Sequence, residues 1–444
     1  MAAEVQSTTP RTLVLCFDGT TNQYDSDNTN VVKLFSLLQK DNMDQQLCYY
    51  QPGVGTYFNP GVVSPLFEWG ARLMDNAIAW YLDAHILDGY RYVMQNYRNG
   101  DKICIFGFSR GAYTARALAG FLHKAGLLPR DNQEQMPFAY KLYQRTDAAG
   151  LALCKGYKQT YCRNVKIEFI GVWDTVASVG MISGSTLPFV TSNTAIRTFR
   201  HALSLDERRC KFEPNTYHRA APNLNGAKKD PENATPVIKQ NGERRQSLQQ
   251  PKKSLHDKLR LKPDPPPFEE DEEGDPCDAL EVWFSGCHSD VGGGAVTNQT
   301  QHSLANITLQ WMVREVIASG CSILFDNAAL ARHHIPSNVG SLLQEIQDTP
   351  AGPEFNPLDA VQPLDDELVR NPLWWILEII PMMFAWQDGD GAWHKKIRIN
   401  FGRGRTIYQH QPKFHRSVQL RMADPTLKYQ PKATWEKGKE IYVD

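Results

Sequence analysis

Residues 102–122 read KICIFGFSRGAYTARALAGFL. The opening KICIF is a short apolar run and predicts a buried strand, Lys102–Phe106; the closing AYTARALAGFL predicts a helix through roughly Lys124. Between them stands Gly107-Phe108-Ser109-Arg110-Gly111, a G-x-S-x-G pattern. Such a short pattern recurs by chance. A strand before it and a helix after it supply the context in which it presents a nucleophile. The turn is sharp, so glycines at 107 and 111 relieve crowding around the serine. Ser109 then stands at the C-terminal edge of a sheet and at a helix N-terminus, whose positive end favours developing negative charge. The plainer alternative is a Gly-rich turn with Ser109 as a helix cap.

The neighbouring sequence repeats this alternation. Thr12–Phe17 (TLVLCF) reads as a buried strand halted by Asp-Gly-Thr, and Leu47–Gln51 as a short second one. Apolar residues recur at helical spacing from Ala71 to Tyr97, ended by Asn99-Gly100. Val165–Trp173 and Leu280–Ser285 are two more strands, and Ser303–Ser319 a helix. Strands alternating with helices predict an α/β fold, a mostly parallel sheet with helices on both faces. The stretch 225–276 is proline-rich and highly charged, with Phe268 as its sole aromatic. It cannot bury enough apolar area to offset the entropy of ordering and reads as a flexible insertion; the alternative is an arm tied down by salt bridges. The core is therefore expected in two parts, 1–224 and 277–444.

Composition narrows the function. With 48 Lys+Arg against 49 Asp+Glu, the chain lacks the basic excess of a dedicated nucleic-acid binder. The cysteines number nine and form no CxxC pair. This argues against a zinc or disulfide framework and fits a reducing, cytoplasmic compartment. No apolar run is long enough to cross a bilayer, and no secretory signal is visible at the N-terminus.

A serine hydroxyl needs a base, and the base an orienting carboxylate. In an α/β-hydrolase they follow in the order Ser, Asp, His, just after later strands. Asp174 follows Val172-Trp173, and His288 follows Phe284-Ser285, in a segment whose glycines free the backbone. Asp174 could otherwise cap a turn. Among twelve histidines, His201 lies in the helix-like HALSLDERR with no strand before it, and His415 in KFHRSVQLR is the competitor to His288. For the oxyanion, Arg110 offers one backbone N–H, and the Asp18-Gly19-Thr20 loop the second through Gly19 or Thr20. Asp18 would hold that loop by accepting backbone N–H bonds; Asp290 is a second candidate loop support.

FDGTTN (17–22), GFSRGAYTAR (107–116), GVWDTVASVG (171–180), HALSLDERR (201–209) and SGCHSDVGGG (285–294) occur together and in order. Together they resemble the α/β-hydrolase family typified by the catalytic domain of type VI secretion phospholipase effectors. KFHRSVQLR looks like a further family segment. The resemblance implies a triad of Ser109, Asp174 and His288 and an activity on lipid esters. The insertion is not part of the family's motif set, so the substrate is less directly implied than the triad.

The remaining segment of note is Asn371–Gln387, NPLWWILEIIPMMFAWQ. It reads either as core packing or as a lid-like wall beside the site, with Trp374, Trp375, Met382 and Met383, and Phe108 nearer the nucleophile, lining a substrate. The leading expectation is a carboxylic ester hydrolase of lipids or phospholipids, with no metal or cofactor and a candidate peripheral membrane contact. One alternative is a metal-dependent phosphoester hydrolase using Asp18, His288 and Asp290. LVLCFDGT resembles the start of aspartate-nucleophile phosphatases, but Cys16 stands where their nucleophile would be. The other is a non-catalytic scaffold using the insertion.

Overall fold

The computed structural model describes residues 10–19, 22, 24–53, 75–176, 187, 195–217, 277–335 and 355–444. The insertion 225–276 lies outside the described residues, which all belong to one compact unit, residues 1–219 with 274–444. Its strands are β1 (Thr12–Phe17), β2 (Gln46–Gln51), β3 (Lys102–Phe108), β4 (Ile167–Trp173), β5 (Ile196–Ser204), β6 (Asp278–Phe284), β7 (Met382–Gln387), β8 (Trp393–Arg398), β9 (Lys413–His415) and β10 (Ile441–Val443). The helices that matter here are α1 (Asn30–Leu37), α2 (Asp75–Asn96), α3 (Arg110–Ala125), α4 (Met136–Gln144), α5 (Ala148–Tyr161), α6 (His288–Gly292) and α7 (Leu304–Ala318).

Eight strands form one sheet in the order β10-β9-β6-β5-β4-β3-β1-β2. Every neighbouring pair runs parallel. The fold is α/β, and the reason lies in the strands themselves. Leu13, Leu15 and Phe17 of β1 pack on one face with α2, α3, α4 and α5. Val14 and Cys16 face the other way, toward α1 and α7. Burial on both faces explains an unbroken apolar run where a half-exposed strand would alternate.

Doubly sided burial also hid one strand. HALSLDERR reads as helical, yet His201 lies within β5, eight of whose nine residues are buried. Between β4 and β6 both faces are covered, so no two-residue period survives in the sequence.

The chain runs from β1 outward to edge strand β2, then back past β1 to β3. The order reverses between β1 and β3, and ligands of open α/β sheets bind outside the strand ends at such a point. Two glycines close this junction. A Cβ on Gly111 would sit 2.3 Å from the Phe17 carbonyl oxygen, and one on Gly107 would sit 2.5 Å from that of Gly111. Only glycine lets the first turn of α3 lie against the end of β1.

Candidate active site

Ser109 joins β3 to α3 with φ 59° and ψ −122°. Few non-glycine residues hold a positive φ, and such strain concentrates at functional sites. It persists because the chain is fixed on both sides. The Ser109 N–H donates to the Trp173 carbonyl at 3.0 Å, extending the sheet ladder, while the glycines seat the helix. The side chain is thereby turned toward the sheet rim.

Asp174 ends the neighbouring strand, β4, and also holds a positive φ, 39°. It is fully buried. His288 opens α6 after β6, two strands further on. Its Nε2 lies 2.8 Å from Ser109 Oγ, and its Nδ1 lies 2.5 Å from Asp174 Oδ2. Ionised carboxylate oxygens only accept, so Nδ1 carries the proton and Nε2 is left to accept from the serine hydroxyl. Burial pushes the His288 imidazole below its ordinary value, against the raising effect of the Asp174 bond. The ring is therefore neutral, and able to act as a base, at neutral pH. Burial would raise the Asp174 carboxyl, but the Arg405 guanidinium and the His288 bond outweigh it and hold the group far below the carboxylate range.

A second charged layer surrounds the imidazole. The His288 backbone N–H donates to Glu207 Oε2 at 3.2 Å. Glu207 also binds Arg209, with Nη2 2.9 Å from Oε2. Burial works against its charge, but Arg209 keeps its carboxyl down at about 2. The His288 ring contacts two phenylalanines, with centroids 4.6 Å from Phe108 and 4.8 Å from Phe212. Trp374 stands edge-on to Phe212 at 5.7 Å, and the Arg209 guanidinium covers both rings.

The family model "T6SS, phospholipase effector Tle1-like, catalytic domain" matches residues 11–315. The chain belongs to this family. An uncharacterized protein of Saccharomyces cerevisiae, YEL023C, is 26% identical over 99% of this chain and 82% of its own length. Among solved structures, an uncharacterized protein from Pseudomonas aeruginosa is 19% identical with a TM-score of 0.37. The match covers 79% of this chain, which spans about half of that protein, 52%. The Tle1 effector bound to the VgrG spike from the type 6 secretion system is 14% identical with a TM-score of 0.36, covering 89% of this chain and 92% of its own.

In this Tle1-like chain the loop after β1 is held by Asp18. Its Oδ1 accepts from the Gly19 N–H at 2.7 Å and the Thr29 hydroxyl at 2.8 Å; its Oδ2 accepts from the Tyr50 hydroxyl at 2.7 Å. Burial raises the carboxyl to about 6 despite those bonds. The Gly19 N–H thus points at Asp18, and Thr20 lies outside the described residues. Arg110 opens α3 directly after Ser109. Asp290 is apart from the serine: its Oδ2 accepts the N–H groups of Cys287 at 2.9 Å and Asp365 at 3.0 Å, closing the short helix that carries His288. Among the described residues no three His, Cys, Asp or Glu side chains gather as a metal-holding group. The set Asp18, His288 and Asp290 is therefore not assembled.

His415 does not reach the serine. Its Nδ1 lies 2.8 Å from Ser417 Oγ, and its ring stacks on Phe284 at 4.7 Å. His201 is bound on both nitrogens, by Glu281 at 2.9 Å and the Thr175 N–H at 3.0 Å. The segment 371–387 forms a 3-10 turn, one turn of helix and β7, which pairs with β8. Trp374, Met382, Leu377 and Phe384 pack on Cys210. Trp375 bonds the Leu368 carbonyl at 2.9 Å through Nε1 and is 40% exposed. Sequence reasoning missed Glu207, Arg209, Phe212 and Arg405. The first two stand in HALSLDERR, where a charged pair two residues apart within a motif was the available signal. Phe212 and Arg405 carried none.

Proposed function

We propose that this chain is a serine hydrolase of carboxylic esters, acting on lipid or phospholipid acyl esters through Ser109, His288 and Asp174. The observation that carries the reading is the continuous bonded line from Ser109 Oγ to His288 Nε2 and from His288 Nδ1 to Asp174. Ser109 Oγ attacks the ester carbonyl carbon while His288 Nε2 takes the hydroxyl proton. Asp174 holds the ring and stabilises its charged form. The tetrahedral oxygen draws on the Arg110 N–H at the start of α3. Collapse breaks the ester bond, and the leaving alcohol takes the proton from His288. Water then attacks the acyl-serine, His288 takes its proton, and the freed acid leaves Ser109 restored. No metal or organic cofactor enters this scheme.

Family membership supports a lipid ester as substrate. Phe108 and Trp374 would line the acyl group nearest the serine, with Trp375, Met382 and Met383 further along the same wall. Leu373, Ile376, Ile379 and Ile380 expose between 44% and 57% of their surface in that segment. Neighbouring exposed apolar side chains of this kind suit a peripheral contact with a membrane. No helix among the described residues is long and apolar enough to cross one. All nine cysteines are unpaired, which favours a cytoplasmic setting. The test is a panel of p-nitrophenyl esters and phospholipids offered to the wild type and to Ser109→Ala. Hydrolysis and fluorophosphonate labelling are expected in the wild type alone; turnover retained by Ser109→Ala would overturn the reading.

A further inference from the structure

Asp174 has a second buried partner, and that partner comes from outside the family's catalytic region. Arg405 lies well beyond residue 315, where the family model ends. Its Nη1 donates to Asp174 Oδ1 at 2.6 Å and its Nη2 to Oδ2 at 2.9 Å. Both prongs of the guanidinium thus grip both oxygens of the carboxylate that faces His288. This forked geometry is specific to arginine.

The rest of the guanidinium is anchored in the sheet rim. Nη1 also donates to the Ser204 hydroxyl at 2.7 Å and to the Ser204 carbonyl at 3.1 Å, and Nη2 donates to the Phe212 carbonyl. The Ser204 N–H meets Asp174 Oδ1 at 3.0 Å, so one residue at the end of β5 holds both partners. The backbone is clamped as firmly. The Arg405 carbonyl accepts from the Thr434 N–H at 2.8 Å, and the Ala433 N–H reaches Leu205 at 2.8 Å. A Cβ on Gly404 would sit 1.9 Å from the Lys432 carbonyl oxygen, so the chain lies flat against residues 432–433 at this point. The C-terminal part of the chain is thereby packed to deliver one guanidinium to one carboxylate.

Stability is a poor reason for this arrangement. A buried ion pair rarely outperforms well-packed apolar side chains, because both charges must be stripped of water. The Arg405 Nε, moreover, is buried with no hydrogen-bond partner among the described residues. What the pair does supply is geometry and charge at the imidazole. With both its oxygens gripped, the carboxylate cannot rotate, and Oδ2 stays aimed at His288 Nδ1. With a full positive charge on its far side, Asp174 has less need of an imidazolium to neutralise it.

We propose that Arg405 is a positioning residue for the hydrolytic centre: its forked bond fixes which Asp174 oxygen faces His288, and its charge sets how readily that imidazole takes a proton. The inference rests on the triad reading given above. The charged groups that face His288 are Asp174, Glu207 and Arg209. Glu213 and Glu207 act on Arg405. His201, bound to Glu281, is the other titratable group that feels Asp174. Asp290, on the same short helix as His288, is occupied by the N–H groups of Cys287 and Asp365.

Two substitutions separate the roles. In Arg405→Met the charge is gone, and protonating His288 becomes the remaining way to neutralise buried Asp174. The acid limb of the kcat/KM profile for a soluble p-nitrophenyl ester is expected to move up by about one pH unit or more. In Arg405→Lys the charge stays but the fork is lost; kcat is expected to fall about tenfold with KM little changed and the limb unmoved. The independent readout is the His288 imidazole titration by NMR in a Ser109→Ala background, which needs no turnover and should move up with Arg405→Met. An unmoved limb and an unmoved titration in folded Arg405→Met would overturn the charge role. Wild-type kcat in Arg405→Lys would overturn the positioning role, and that variant decides alone if Arg405→Met fails to fold. Should Ser109→Ala retain turnover, the triad reading fails, while the imidazole titration still reports whether Arg405 governs His288.

Discussion

His288 and His415 make an instructive pair. His288 comes four residues after the end of β6 and His415 closes β9, and those strands are hydrogen-bonded neighbours. Both rings are buried and both touch an aromatic side chain. Their nitrogens differ. His288 spans a carboxylate and a serine hydroxyl, so each nitrogen has a defined protonation role. His415 caps the helix that follows it, accepting from the Ser417 N–H at 3.2 Å, and its Nε2 has no partner among the described residues. Burial therefore drives His415 down to about 3 with no carboxylate to oppose it. Burial is shared; the partners within bonding reach differ, a carboxylate and a serine hydroxyl for His288 and a helix start for His415.

The largest effects should fall on one side of this pair. His288→Ala and Ser109→Ala are each expected to reduce kcat on a soluble ester by about 10,000-fold or more. His415→Ala should leave kcat within about threefold, since it removes packing and a helix cap away from the serine. A collapse of activity in His415→Ala with a normal melting curve would break the comparison. Asp174→Asn comes next, with a loss of about 10,000-fold in kcat from a mis-set imidazole tautomer and little change in KM.

The pH profile sharpens the contrast further. His288 is active when neutral and sits below the ordinary 6.5, so the acid limb of wild-type kcat/KM should lie below pH 6.5. A limb above that value would contradict the burial argument. His415 acts on stability in the same direction. Its folded value is depressed, so the stability of the neutral ring is complete above 6.5 and is lost as pH falls toward 3. His415→Leu should therefore lose less melting temperature than the wild type between pH 6.5 and 4. The smallest effect belongs to Asp290, which burial raises to about 7. Its contribution is full below the ordinary 3.8 and is lost as pH rises through 7. Asp290→Asn should gain melting temperature relative to wild type on going from pH 4 to pH 8, and equal slopes would refute this.

Much of this was legible because catalytic rims of parallel sheets are written locally. A strand must be an apolar run, its end must break into polar or glycine residues, and the reactive side chain sits in that break. Ser109 and Asp174 stand directly after β3 and β4, and His288 four residues after β6. The grammar failed for His201 because β5 is covered on both faces and shows no alternation. It failed again for Gly19, whose N–H turns to its own neighbour's carboxylate, a choice among local hydrogen bonds that residue order does not encode.

By itself, then, the order of residues determined a parallel α/β sheet, a serine turn that only glycine can close, and polar residues placed just after strands. Those are short-range matters of periodicity, backbone freedom and side-chain type. Only the tertiary structure decided which histidine faces the serine, and that the carboxylate behind it is gripped by Arg405, 231 residues further along the chain. A contact between segments so far apart is set by how the C-terminal part packs across β5 and β9, and packing at that distance leaves no period or motif in the sequence to read.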